Sequence, residues 1–323
     1  MSRRLLSFTG QGSVVSADRL QHWASNVSTF SDADLIHRFS QSLEQPATIA
    51  ACSNLLYRGW LTEQKNGSEN GSTYVVGHSL GELNALNASV NGLAFRCKDI
   101  MEIASFRNKL MVEATQRYLK ERRIADGTFE MWVVTNPRSK GLRKELTALL
   151  QDDSFNSPVP GLTGIKLAND NAPNQCVITG ITGDIIAFVK KCTIEKIRHK
   201  FTKLNNPFSI PFHNNDVLRP IQEPLYDFIW QTLKENGKQH FINETVENGI
   251  ISNVDGRLTD QFHTAIEKFV LGSSNIVNFV DCFKTIASEL ELDEAYHFGP
   301  GASIGKIIER NLKNCDMSHT FVD

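Results

Sequence analysis

The sequence predicts an α/β protein in two parts: a large lobe on a mostly parallel sheet covered by helices, and a small α+β unit inserted into it. Three observations carry that prediction. Short β-branched and aromatic runs alternate with segments whose apolar residues recur at helical spacing, the pattern of βα units. From about Gly127 to Leu204 the pattern changes to closely spaced strand-like runs. The chain has 323 residues, 41% hydrophobic and 22% charged, enough for a sizeable core in two unequal lobes. The expected division is 1–126 with 205–323 for the large lobe and 127–204 for the small one.

The elements follow in order. "LLSF" reads as a strand that runs into the glycine-containing turn "TGQGS". The polar stretch "TEQKNGSENGS" reads as an exposed loop before a second strand, Thr73 to Val76. Helical patterns run from about Leu80 to Asn91 and from Lys98 to Glu121. In the middle region "FEMWVVT", "GIKLANDN" and "QCVITG" are strand-like, and "RSKGLRKELTALL" and "TGDIIAFVKKCTIEKI" are helix-like. "NPFSIPFHNN" returns the chain to the large lobe, where "GIISNVDGR" and "AYHFGPG" read as strands ending in turns.

Charge and composition exclude several classes. A net charge of -2 gives no global attraction to nucleic acid or to an anionic membrane. No apolar run approaches the roughly 20 residues of a membrane helix. Six scattered cysteines form no CxxC pair, which argues against a zinc site or a disulfide framework and for a reducing compartment. "MSRRLLSFTGQGS" has two arginines but no long apolar region, so it does not read as a secretory signal.

The chemistry centres on Gly77-His78-Ser79-Leu80-Gly81, which joins the strand at Thr73–Val76 to a helix. A chain that turns sharply at a serine needs small neighbours, and glycine lets the backbones approach. This is the pattern of a nucleophile elbow, with the serine oxygen presented at a helix N-terminus. A serine hydroxyl needs a base. His213, where the short apolar run of "IPFHNN" gives way to polar residues, is the first candidate, and His297 beside "FGPG" is the second. His78 inside the elbow reads as a packing residue. His22, His37, His199, His240, His263 and His319 lie in polar or helical contexts and read as surface residues.

Six segments then occur in one order: "SFTGQGS", "GHSLGE", "FRNKLM", "ANDNAPNQCVITG", "PFHNNDVLRP" and "FGPGASIGKII". Together they resemble the malonyl-CoA:acyl-carrier-protein transacylases, and among these the stand-alone mitochondrial enzymes of fungi. The resemblance spans Leu5 to about Ile308. It implies a large α/β-hydrolase-like lobe with a short parallel sheet and a small ferredoxin-like subdomain. It implies transfer of a malonyl group from coenzyme A to the phosphopantetheine thiol of acyl carrier protein, with no metal or redox cofactor and no nucleic-acid or membrane partner. The mitochondrial location also comes from the resemblance.

Roles follow residue by residue from that resemblance. Ser79 is the acyl-carrying nucleophile and His213 its base. The backbone amides of Gln11 and Leu80 form the oxyanion hole, and Arg107 grips the free malonyl carboxylate. Asn278 matches a position, usually glutamine, that orients the histidine, a task a backbone carbonyl serves equally. Asn171 matches a small-lobe residue lining the family's cleft. Thr9 departs from the family's usual proline in "FTGQGS".

The physics of malonate fits these roles. Arginine's planar fork gives a carboxylate two parallel charge-assisted hydrogen bonds. An acetyl group would leave that guanidinium unsatisfied. The competing reading of Arg107 is a surface helix arginine paired with Glu102 or Glu113. Phe212 has two readings, space-filling near the malonyl α-carbon and plain core packing. Two basic clusters could meet an acidic carrier: Arg117, Lys120, Arg122 and Arg123, and then Lys190, Lys191, Lys196, Arg198, Lys200 and Lys203. The rival reading of both is a solvated helix face. A serine hydrolase of esterase or patatin type is the alternative function. Its aspartate would need a DGG or DGA motif, and the chain offers only "VDGR" at Asp255.

Overall fold

The computed structural model describes residues 2–12, 15, 18, 46–64, 71–91, 93–124, 127–152 and 164–323. His22 and His37 lie outside the described residues. The chain forms two compact units: residues 1–108, 224–269 and 281–323, and residues 109–223 with 270–280. The second unit therefore reaches beyond the expected 127–204. It takes in 109–126, the His213 segment and 270–280. These added pieces look like ordinary large-lobe sequence, and only their tertiary contacts assign them to the second unit.

In the first unit, strands β1 (Arg4–Phe8), β2 (Thr73–Gly77), β7 (Thr245–Ile251), β8 (Leu258–Gln261), β10 (Glu294–Phe298) and β11 (Ser318–Val322) form one sheet in the order β11-β10-β1-β2-β7-β8. Every pairing in it is parallel except β7 with β8. Helix α1 (Pro46–Gln64) packs on the sheet centre through its aromatic residues. Tyr57 meets Phe8 edge-on at 5.5 Å, and Phe8 stacks on Phe298 at 5.3 Å. Helix α2 (Glu82–Ala88) follows β2, and all seven of its residues are buried. Such a helix has no solvent-facing side, and its polar residues bond within the protein: Asn84 Nδ2 donates to the Ala50 carbonyl at 2.8 Å and Asn87 Oδ1 accepts from Phe95 N–H at 2.7 Å.

Helix α3 (Cys97–Glu121) gives its residues up to Asn108 to the first unit and the remainder to the second. In the second unit, β3 (Phe129–Thr135), β4 (Lys166–Ala172), β5 (Gln175–Ile181), β6 (Lys200–Lys203) and β9 (Val277–Asn278) form a sheet in the order β6-β3-β5-β4-β9. Its pairings are antiparallel except β4 with β9. Helices α4 (Leu142–Gln151) and α5 (Thr182–Ile194) bury Leu142, Leu146, Ile185 and Phe188 with Val134 and Ile178. A helix on one face of an antiparallel sheet is the α+β layer expected for this segment. The short helix α6 (Asn215–Leu218) follows His213, and α7 (Gln222–Glu235), α8 (Phe262–Gly272), α9 (Phe279–Glu289) and α10 (Ser303–Asn311) lie further along the described chain. Among the described residues no helix is long and apolar enough to cross a membrane.

Candidate active site

The elbow is built by backbone contact. β2 ends at Gly77, and Ser79 lies at φ 52, in the left-handed region that an L-residue adopts only at a cost. A Cβ on Gly77 would run into the backbone of Gly81 and Glu82, and one on Gly81 would run into the carbonyls of Phe8 and Thr9. A Cβ on Gly10 would meet the His78 carbonyl. The glycines thus let the turn after β1, which carries Gln11, press against the turn after β2, which carries Ser79. His78 N–H donates to the Phe8 carbonyl at 3.1 Å, and Gly81 N–H donates to the His78 carbonyl at 2.9 Å. Thr9 N–H donates to the Phe298 carbonyl at 3.2 Å, a bond that proline at this position could not make.

The Ser79 amide is itself engaged, donating to Asn253 Oδ1 at 2.8 Å. Asn253 Nδ2 donates to the Gly77 carbonyl at 2.6 Å, and the Asn253 amide donates to Glu82 Oε1 at 3.0 Å. Burial pushes the Glu82 carboxyl up to about 7, although the Asn253 amide, Ser252 and Lys268 all favour its charge. Leu80 is fully buried and Gln11 half-buried.

Arg107, on α3, is 1% exposed. Burial lowers its guanidinium to about 10, and the charge of Glu82 acts the other way. The surface-arginine reading does not survive: Glu102 pairs with Lys98 at 3.6 Å and Glu113 with Lys109 at 3.9 Å. The spacing could not reveal this, because 3.6-residue periodicity gives the face of a helix but not what covers it.

The second unit carries His213, Phe212, Asn171 and Asn278. His213 is buried at φ 63, also left-handed. Its Nδ1 lies 3.0 Å from the Gly272 carbonyl and 2.9 Å from the Asn275 carbonyl. A carbonyl can only accept a hydrogen bond, so Nδ1 carries the proton and these contacts fix the tautomer that leaves Nε2 as the basic nitrogen. The orienting groups on this ring are backbone carbonyls, three and six residues before Asn278. The Asn278 side chain accepts from Arg143 Nη1 at 2.7 Å, and Arg143 also reaches Asp170 at 3.4 Å. Asn171 is buried beside Asp170 on β4. Phe212 is half-buried and packs against Met131, Ala168 and Val177.

The second histidine candidate is taken up elsewhere. His297 Nδ1 bonds Ser7 Oγ at 2.7 Å and its Nε2 bonds His319 Nδ1 at 2.9 Å. Burial, with His319 beside it, lowers His297 to about 4. His319 is therefore no plain surface residue, since it stacks on His297 with ring centroids 5.2 Å apart. Nor is His199, whose side chain is 4% exposed and lies 3.7 Å from Glu145. His240, by contrast, is exposed.

Sequence reasoning missed Asn253, Glu82, and the Gly272 and Asn275 carbonyls. Asn253 had one usable signal, a polar residue just past the C-terminal end of a parallel strand, where such sheets place their functional groups. The carbonyls had none, since every residue owns one.

No family model matches the chain. Among curated proteins it is 37% identical to the "Malonyl CoA-acyl carrier protein transacylase, mitochondrial" of Saccharomyces cerevisiae, over 97% of this chain and 94% of that one. Among solved structures it superposes with TM-score 0.72 on the malonyl-CoA:acyl carrier protein transacylase of Helicobacter pylori, at 22% identity, covering 100% of this chain and 94% of that one. It also superposes with TM-score 0.68 on a malonyl-transacylase solved with a type II polyketide synthase acyl-carrier protein, at 19% identity over 99% and 96% of the two chains. An elbow serine, a buried arginine and a histidine held by backbone carbonyls, carried on a chain that shares more than a third of its residues with the yeast protein over nearly its whole length, place the protein in the malonyl-CoA:acyl-carrier-protein transacylase family.

Proposed function

We propose that the protein transfers malonyl groups from malonyl-CoA to the phosphopantetheine thiol of acyl carrier protein, in fatty acid synthesis in the mitochondrion. The observation that carries the reading is the left-handed Ser79 between two glycines that only a close-packed elbow requires, in a chain of this family.

Ser79 Oγ attacks the thioester carbonyl while His213 Nε2 takes its proton. Negative charge develops on the carbonyl oxygen. Because the Ser79 amide is bonded to Asn253, the amides of Leu80 and Gln11 take the oxyanion role. Such a donor contributes roughly 3–4 kcal/mol in known sites. The C–S bond breaks, the proton passes from His213 to the coenzyme A sulfur, and a malonyl ester remains on Ser79. The carrier thiol then attacks that ester. His213 accepts the thiol proton and returns it to Ser79 Oγ as the C–O bond breaks. This ping-pong cycle calls on no metal or redox cofactor.

Arg107 receives the malonyl carboxylate. Its burial means that an acyl group lacking the carboxylate forgoes a charge-assisted hydrogen bond in a desolvated setting. The carrier docks on the second unit. There α5 exposes Ile186 at 54% and Ile194 at 66%, either side of Lys190, an apolar and basic stripe suited to an acidic partner. Of the basic residues, Lys203 already pairs with Glu130 at 2.6 Å and Arg122 lies over the Tyr118 ring, so Lys190, Lys196 and Arg198 carry more of the attraction.

Intact-mass measurement after incubation with malonyl-CoA tests the reading. A malonyl adduct that disappears when holo carrier is added is the expected result. Hydrolysis of malonyl-CoA as fast as transfer to the carrier would return the protein to the serine hydrolases.

A further inference from the structure

We propose that Asn253 is a positioning residue for the nucleophile, its carboxamide clamping the two successive peptide groups, on either side of His78, that lead into Ser79. The inference rests on Ser79 as the acylated residue.

Three bonds made by one 1% exposed residue carry it. Asn253 Oδ1 accepts from Ser79 N at 2.8 Å, and Nδ2 donates to the Gly77 carbonyl at 2.6 Å. The backbone chemistry fixes which end of the carboxamide points where, because a peptide N–H needs the oxygen and a carbonyl needs the nitrogen. Only a carboxamide supplies both from one planar group of this length. Asn253 is held in turn by its own amide on Glu82 Oε1 at 3.0 Å. Glu82 begins the helix that Ser79 leads into, so the loop after β7 is tied to both ends of the elbow.

The clamp answers a specific need. A non-glycine residue at φ 52 relaxes unless its surroundings over-determine it. Serine could not be replaced by glycine here without losing the nucleophile, so the strain is met by external bonds. The same bond removes the Ser79 N–H from competition for the oxyanion. It also fixes the peptide plane that enters Ser79, one residue before the amide of Leu80. Loss of the clamp displaces the nucleophile and the donor together while leaving the acyl-binding residues in place.

The test uses the whole chain with two substitutions. In Asn253→Asp an oxygen replaces the donor to Gly77, and in Asn253→Ala both bonds go. The readouts are the single-turnover rate of Ser79 malonylation across malonyl-CoA concentration and the rate of labelling by a fluorophosphonate. Both are taken below the melting temperature of every variant. A 10- to 100-fold fall in the maximal rate with an unchanged half-saturating concentration, and a matching fall in labelling, is expected for Asn253→Asp, with a larger fall for Asn253→Ala. Asp255→Asn loosens the same loop by weakening the ion pair with Lys268, 3.0 Å away, and touches neither elbow peptide. Its labelling rate stays within twofold of wild type. Wild-type rates in a folded Asn253→Asp, or an equal fall in Asp255→Asn, would overturn the proposal. A wild-type chain that forms no adduct on Ser79 defeats the nucleophile reading itself, and that outcome is read before any variant.

Discussion

The first unit holds Ser79 and the second holds His213, and both residues lie in the left-handed region, at φ 52 and φ 63. They are held there by different means. Ser79 is held from near and far, by glycines two residues before and after it that let backbones touch and by Asn253, which bonds its amide from 174 residues away. His213 is fixed through its ring by carbonyls 59 and 62 residues further along the chain. The contrast teaches that an elbow announces itself as a motif, whereas the setting of a histidine ring is decided by the fold.

The largest effects separate the two halves. Ser79→Ala should abolish the malonyl adduct, with at least about a thousandfold loss of transfer, while the melting temperature changes little. His213→Ala should slow acylation by about 10²–10⁴-fold, the usual worth of a general base, yet leave a detectable adduct because the elbow survives. Equal and complete losses in the two variants would break the comparison, making the histidine as indispensable to the elbow as the serine.

The elbow half also carries its own pH signature. The Glu82 carboxyl is held up to about 7 against 4.5 for the free group. The native state keeps a proton that the unfolded chain releases, so this group favours folding fully below pH 4.5, and the contribution is lost as pH rises through 7. The groups acting on it are Arg107, Lys268 and Asp255 by charge and Ser252 and Asn253 by hydrogen bond. Glu82→Gln should gain on wild type by about 3 kcal/mol between pH 4.5 and pH 7.5, measured by denaturant titration at both values. A constant difference would mean that Glu82 stays ionised in the fold.

Acyl choice belongs to the elbow half as well. Arg107→Ala should lower malonyl transfer by about tenfold to a hundredfold and make acetyl transfer comparatively easier, read as the ratio of kcat/KM for the two thioesters. An unchanged ratio would place the carboxylate clamp elsewhere. The smallest effect tests the other half. Lys190→Glu with Lys196→Glu should raise the KM for the carrier several-fold, about 1 kcal/mol, with a weaker salt dependence and an unaltered malonyl-CoA half-reaction. A change in the malonyl-CoA step instead would show that these lysines serve the coenzyme A thioester.

What the residues announced by themselves was local. The strand and helix around the elbow, the alternation of the middle region and the identity of the serine follow from short-range sterics, in which glycine, β-branched residues and helical spacing act within a few positions of one another. Six motifs in fixed order added the family, including Arg107 and His213. Tertiary structure decided the rest. It extended the second unit beyond 127–204, turned His297 and His319 into a bonded pair, enclosed Arg107, and brought Asn253 to Ser79 and the Gly272 and Asn275 carbonyls to His213. The physical reason is that hydrogen bonds to peptide groups carry no residue signature. Which carbonyl or amide meets which side chain is fixed only when the sheets close and distant segments share one interior.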